Sequence, residues 1–446
     1  MIKVFGQERP AFLGDLLDAV TERGRALLGL REAGPVRAPD LAQLGEVLVS
    51  RRGEASGVAL AQSFIGAYAA APMAERLAFL HLLAAQFGPD VSAVDTAIAA
   101  LNTGEPGAIE ALHAASEPRR QELFRRLNVA PGGTQALLRM REDLLGVLRD
   151  QPELRPVNAD FTHLFGSWFN RGFLSLRQID WTTPANILEK IIQYEAVHEI
   201  QNWDDLRNRL QPLDRRCYAF FHPQLPDEPL IFVEVALTVD SPRAVAPLLN
   251  LTRQPIAAET ATTAVFYSIS NTQRGLAGVS FGNFLIKQVV ELLKAELPQV
   301  KTFVTLSPVP GFAAWLAGQR DNPSILTPAQ WQALDTPDWH RDPERAAALA
   351  PVMTRAAAQY FLAARDARGR PVDAVARFHL GNGARLDRLN LLGDLSANGM
   401  RQSHGLMVNY RYALDAIERN HEAFAESGTI AASDEVKRAA PSPVSS

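Results

Sequence analysis

The hydrophobic pattern changes character partway along the chain. Up to about residue 160, apolar residues recur every three or four positions in short runs that end at "AGPVRAPD", "FGPD", "TGEPG" and "APGG". Gly and Pro stop helices at such points, so this half is predicted to run helix after helix. After "APGG", Thr134 is placed to cap a helix whose Leu137, Met140, Leu144 and Val147 share one face. No fixed period with matching positions links these helices, which favours a compact bundle over a repeat array.

Beyond "DQPELRPVNADF" strand patterns appear. "TTPANILEKIIQYEAVH" predicts a helix with Thr183 as its cap and Pro184 in the first turn. "RRCYAFFH" and "LIFVEVALT" flank the turn-rich "PQLPDEP" and predict an antiparallel pair. "TAVFYSISN" and "KTFVTLS" are further strands, separated by a glycine-bearing loop and a helix. A helical stretch over 326–366 reads as an insertion, "AVARFHL" and "ARLDRLNLL" return to sheet, and "VNYRYALDAIERNHEAFAE" predicts a closing helix. The expected fold class is α+β: a helical domain over 1–160, a mixed-sheet domain over 161–425, and a disordered tail over 426–446.

The loop and helix in "NTQRGLAGVSFGNFLIKQVV" carry the first candidate chemistry. Leu285, Val289, Leu292 and Glu296 form one mostly apolar stripe, with Lys287, Glu291 and Lys294 opposite. The start of such a helix exposes unpaired N–H groups and favours anions, phosphate above all. Gly275, Gly278 and Gly282 would let the backbone approach a pyrophosphate, and Arg274 would add a charged donor. The missing Gly-Lys-Ser/Thr rules out a nucleotide P-loop, and the glycine spacing rules out a dinucleotide fingerprint. On the residues alone the loop fits either a phosphate site or a plain tight turn.

Two further residues stand out. Ser307 closes "KTFVTLS" before "PVPGFAAWL", where two prolines and a glycine turn the chain, so its hydroxyl either faces a cleft or serves the turn. His379 lies just before "GNG", either as a structural histidine or as an acid–base group. No Gly-x-Ser-x-Gly surrounds Ser307, which argues against a Ser/His hydrolase. Charged runs such as "EPRRQELFRR" and "RRLNVA" read as solvated helix faces, and Trp203 and Trp315 as packing residues.

Composition narrows the partners. A net charge of −4 gives no reason to expect nucleic-acid binding, and no stretch is apolar enough to span a bilayer. The single cysteine, Cys217, excludes intrachain disulfides and suits a reducing compartment. The opening "MIKVFGQERPAFLGDLLDAV" reads as neither signal nor transit peptide, so a cytoplasmic protein is expected.

Several segments together are similar to one family. "SNTQRGLAGVSFGNFLIKQVVELLKAELPQVKTFVTLSPVPGFAAWL", "VARFHLGNGARLDRLN", "SHGLMVNYRY" and "YEAVHEIQNWDDLRNRL" closely resemble malonyl-CoA decarboxylases, densely from about 165 to 415. The resemblance implies a helical domain that mediates homo-oligomerisation and an acetyltransferase-like (GNAT) domain that converts malonyl-CoA to acetyl-CoA without metal, biotin or another prosthetic group. It implies Ser307 and His379 as catalytic residues. It also implies a CoA-binding loop of Ala277, Gly278, Val279, Ser280, Phe281, Gly282 and Asn283, with Tyr412 as a further active-site residue. Ser280 stands where animal members carry a glutamate. The expected mechanism has Ser307 orient the malonyl carboxylate, while His379, an imidazole of unperturbed pKa near ~6.5, carries a proton when an anion sits nearby and then stabilises and protonates the enolate. Competing readings are a CoA-dependent acyltransferase and a CoA sensor. No role is assigned to His198, and His404 is read as structural.

Overall fold

The computed structural model describes residues 40–50, 54–279 and 285–440. These divide into two compact units: residues 40–173 with 273–279, and residues 174–272 with 285–440. Of the sequence-derived site, Ser280, Phe281, Gly282 and Asn283 lie outside the described residues.

The first unit is helical. Its described helices are α1 (Leu41–Val49), α2 (Glu54–Ala70), α3 (Met73–Ala85), α4 (Val91–Asn102), α5 (Ala108–Ser116), α6 (Arg119–Val129), α7 (Gly133–Val147) and α8 (Arg155–Trp168). Asp40 and Asp90 cap α1 and α4 by accepting from Ala42 N and Ala93 N. Thr134 does not cap α7: the helix begins one residue earlier after Gly132, and the Thr134 hydroxyl bonds Asn128 instead. Phe64, Phe79, Phe87, Phe124, Phe161 and Phe165 fill the core, with the Phe124 and Phe161 rings stacked 4.1 Å apart. "EPRRQELFRR" is not wholly a solvated face, because Arg120 and Gln121 turn inward to the buried carboxylate of Asp160.

The second unit is built on an eight-stranded sheet. In chain order the strands are β1 (Ser175–Ile179), β2 (Arg215–Phe221), β3 (Ile231–Thr238), β4 (Thr263–Asn271), β5 (Thr302–Thr305), β6 (Ser307–Pro308), β7 (Arg385–Asn390) and β8 (Met407–Arg411). They lie in the order β1-β2-β3-β4-β5-β8-β6, with β7 also on β8, and every pair is antiparallel except β4 with β5. A parallel pair needs a crossover, which the helix Leu285–Glu296 supplies. That helix buries Leu285, Ile286, Val289, Val290 and Leu293, whereas Leu292, expected in the buried stripe, is 46% exposed. The α+β class, with one strand–loop–helix–strand unit giving a parallel pair inside an otherwise antiparallel sheet, is as expected.

Four local expectations are corrected. "AVARFHL" forms the helix Ala374–Gly381, with Asp373 accepting from Ala376 N and with Ala376, His379 and Leu380 buried at helical spacing. So short an apolar run looks the same at either period, and the capping aspartate decides it. "VNYR" belongs to strand β8 and Tyr412 follows it directly: Val408, Tyr410 and Tyr412 share the main core with period two, and the closing helix begins at Ile417. Thr183 does not cap the helix Ala185–Tyr194, where Pro184 takes the cap position; its hydroxyl accepts from Asp180 N. The expected disordered tail is ordered where described, since Asp434–Ala439 is helical and buries Val436. The insertion appears as the helices Pro328–Leu334 and Pro343–Leu362.

Candidate active site

The parallel pairing of β4 and β5 runs from Thr263↔Thr302 to Phe266↔Thr305 and then stops. Beyond it β4 stays on β3, while the chain after β5 continues along β8 through Ser307↔Val408. Ser307 therefore stands where two neighbouring strands part. A bulge at Glu234/Val235 places Tyr267 as an extra residue in β4, and both Phe266 and Tyr267 line the cleft that opens there. The cleft has a volume of ≈ 250 Å³ and is walled by Val197, Phe378, Ser307 and His379 as well.

Ser307 Oγ lies 3.1 Å from His379 Nε2, and His379 Nδ1 lies 2.8 Å from the Tyr412 hydroxyl. All three residues named in the sequence thus meet. Ser307 donates to Thr305 Oγ1 at 2.8 Å, and that oxygen also accepts from Tyr410 N at 3.1 Å. The Tyr410 ring stacks on the imidazole, with centroids 4.5 Å apart.

The tautomer follows from counting protons. The Tyr412 phenol has no other hydrogen-bond partner among the described residues, so a buried O–H is satisfied only by donating to Nδ1. Nε2 then carries the ring proton and donates to Ser307 Oγ, whose own proton goes to Thr305. The result is a directed chain from Tyr412 through His379 and Ser307 to Thr305.

Burial pushes the His379 imidazole down to about 3 and holds the Tyr412 phenol well above its ordinary value. The resting imidazole is neutral. A depressed histidine pKa favours the fold above about pH 6.5 and loses that contribution as pH falls toward about 3. We expect the His379 ring signals in a histidine NMR titration of the free protein to stay unprotonated at pH 5; half-titration near 6.5 would refute this.

Sequence reasoning missed the wall of the cleft. The buried Glu195 carboxylate accepts from Val197 N (2.9 Å), His198 N (2.8 Å), Ser268 Oγ (2.7 Å) and Ser270 Oγ (3.1 Å). It ties the segment carrying Val197 to β4 beyond the strand split. "YEAVHEIQNWDDLRNRL" contains this glutamate, yet its serine partners stand more than seventy residues away. His198 is buried, which lowers its pKa. His404 ends the helix Ala397–Ser403 in a left-handed conformation at φ 52°, a structural placement.

The glycine loop belongs to the helical unit. A Cβ on Gly275 would come within 2.4 Å of the Leu138 carbonyl oxygen on α7, so this glycine serves a close approach to a helix, not to a ligand. Gly278, at φ 75°, is the third residue of a type II turn closed by Val279 N donating to Leu276 O. Arg274, Ala277 and Gly278 are exposed and Val279 is buried. Gly275→Ala should therefore lower the melting temperature clearly more than Gly278→Ala, whose open surroundings leave only a backbone cost of ~1–2 kcal/mol. Equal shifts in differential scanning calorimetry would contradict the helix contact.

Among the described residues no helix is long and apolar enough to cross a membrane, and no cluster of three His, Cys, Asp or Glu is placed to hold a metal. Fold and site together define a two-unit α+β enzyme with a buried hydroxyl–imidazole–phenol chain at a strand split. Residues 172–445 match the description "Malonyl-CoA decarboxylase C-terminal domain" and residues 87–169 match "Malonyl-CoA decarboxylase N-terminal domain". The chain belongs to the malonyl-CoA decarboxylase family, a family of carboxy-lyases. It is similar to the crystal structure of malonyl-CoA decarboxylase from Rhodopseudomonas palustris, at 64% identity and TM-score 0.87 over 91% of this chain and 100% of that one. The enzyme from Agrobacterium vitis is 58% identical, with TM-score 0.86, over 90% of this chain and 99% of the other. The mitochondrial malonyl-CoA decarboxylase of Anser anser anser is 37% identical over 348 residues, 72% of this chain and 69% of that protein.

Proposed function

We propose that this chain converts malonyl-CoA to acetyl-CoA and CO2 through an enolate held by Ser307 and His379, with no metal or prosthetic group. The observation that carries this reading is the convergence of Ser307 Oγ and His379 Nε2 at 3.1 Å in a small cleft. A space of ≈ 250 Å³ suits the malonyl thioester end, not a whole CoA. Ser307 turns the substrate carboxylate out of the thioester plane. The bond to the carboxylate carbon breaks, its electron pair enters the thioester carbonyl, and CO2 leaves. His379 Nε2–H meets the oxygen on which charge collects. The entering carboxylate raises the imidazole pKa from its low resting value, so a proton taken up with substrate is delivered to the enolate carbon.

Arg274 and the loop from Ala277 through Asn283 take the CoA pyrophosphate in this reading. Homo-oligomerisation through the helical unit is supported by exposed Val91, Ile98, Leu101 and Ile109 on α4 and α5. Action in a reducing cytoplasm is supported by the single, buried Cys217 thiol. The test is release of labelled CO2 from carboxyl-labelled malonyl-CoA by the purified protein, without ATP, added metal or acceptor. Stoichiometric CO2 and acetyl-CoA are expected. No release from folded protein would refute the reading, and turnover only with an amine or alcohol present would make the chain an acyltransferase.

A further inference from the structure

Arg141 on α7 is 2% exposed, and none of the described carboxylates pairs with it. Its Nη1 donates to the Gly275 carbonyl (2.7 Å) and its Nη2 to the Ala277 carbonyl (2.8 Å). Asn158 Oδ1 (3.1 Å) and Thr162 Oγ1 (3.0 Å) take further donors, and the Phe165 ring lies 5.9 Å away. The next residue, Glu142, accepts from Gly275 N at 3.1 Å. Three successive contacts, at Leu138, Arg141 and Glu142, thus fasten the loop to one helix.

A buried guanidinium without a carboxylate is costly, and burial lowers its pKa, so its retention asks for a reason. The Ala277–Gly278 peptide is the central peptide of the type II turn. Type I and type II turns differ by a flip of that peptide. In a trans peptide the C=O and N–H point opposite ways, so a carbonyl held inward by Arg141 turns the Gly278 N–H outward. That N–H has no partner among the described residues, and Gly278 is exposed. A flipped peptide would present a carbonyl oxygen there, which repels phosphate.

We propose that Arg141 is a positioning residue that locks the Ala277–Gly278 peptide so that the Gly278 N–H, backed by an uncompensated buried cation, meets the pyrophosphate of the CoA substrate. This rests on the reading of the loop as the CoA site. Lysine at this position keeps the charge but cannot span both carbonyls, and methionine removes the charge at similar volume.

The test compares the full-length wild type with Arg141→Lys and Arg141→Met on malonyl-CoA and on malonyl-pantetheine, which lacks the pyrophosphate. Roughly tenfold loss of kcat/KM on malonyl-CoA is expected in each variant, mainly in KM, with malonyl-pantetheine unaffected. If Arg141→Met does not fold, Arg141→Lys carries the comparison. Equal losses on both substrates, or none on either, overturn the assignment. CoA binding by calorimetry separates it from the decarboxylase reading. A wild type that binds CoA, releases no CO2 and loses about tenfold in CoA affinity on Arg141→Lys would sink the reaction and keep this role for Arg141.

Discussion

His379→Asn and Ser307→Ala should each lower the turnover of malonyl-CoA by at least about 10²-fold, with much smaller changes in CoA affinity. His379 offers one proton to the cleft, on Nε2, and only because Tyr412 occupies Nδ1. Asparagine keeps a donor but cannot take up a proton with substrate, so in the proposed mechanism stabilisation of the oxyanion should survive in part and protonation of carbon should not. Alanine at 307 removes the hydroxyl that bridges His379 and Thr305, leaving the imidazole N–H without its acceptor and, in the proposed mechanism, the malonyl carboxylate without its guide. Tyr412→Phe should give a smaller loss, because the His379 imidazole stays stacked on Tyr410 and loses only the hydroxyl that fixes its tautomer. Steady-state kinetics with separate kcat and KM decide this. Near-normal kcat in either principal variant removes that residue from the chemistry.

Much of this site was legible from the sequence, but for uneven reasons. Ser307, His379 and Tyr412 came from motif resemblance, and the geometry joins all three. Their supports were not legible. Thr305 and Tyr410 sit on strands that meet only after the sheet forms, and β8 is short enough for its alternation to merge with the helix that follows. Gly275 was noticed for the right property, close approach, and matched with the wrong partner, because Leu138 is distant in sequence and a helix backbone leaves no mark there. Arg120 reads as part of a solvated run, and Arg141 and Arg209 draw no reading at all, for the same reason. Each is buried against groups that local spacing alone does not single out.

Arg209 should give the largest stability effect in the molecule. Its guanidinium, 2% exposed, donates to both oxygens of Asp205 (3.1 and 3.2 Å), to Glu234 Oε2 (3.1 Å) and to the carbonyls of His198 (2.8 Å) and Glu199 (3.1 Å). It joins the helix Trp203–Leu210, the chain leading to the Glu195 wall, and strand β3. Arg209→Met leaves Glu234, which is fully buried, as a charge without its cation. Breaking such a pair costs about 3–5 kcal/mol, or roughly 10 °C in melting temperature for a unit of this size. The sign of the pH dependence follows from Glu234, whose carboxyl burial pushes up to about 7 against the opposing pull of Arg209. A carboxyl raised in the fold contributes stability below its unfolded pKa of about 4.5 and loses it as pH rises through about 7. Without Arg209 that pKa climbs further, so the melting-temperature deficit of Arg209→Met should be larger at pH 8 than at pH 5.5. Adding Glu234→Gln should recover part of it at pH 8 and little at pH 5.5, because an amide needs no counterion. A deficit of a degree or two, equal at both pH values, would mean that Glu234 is already neutral beside Arg209 and that the buried pair holds no charge to uncover.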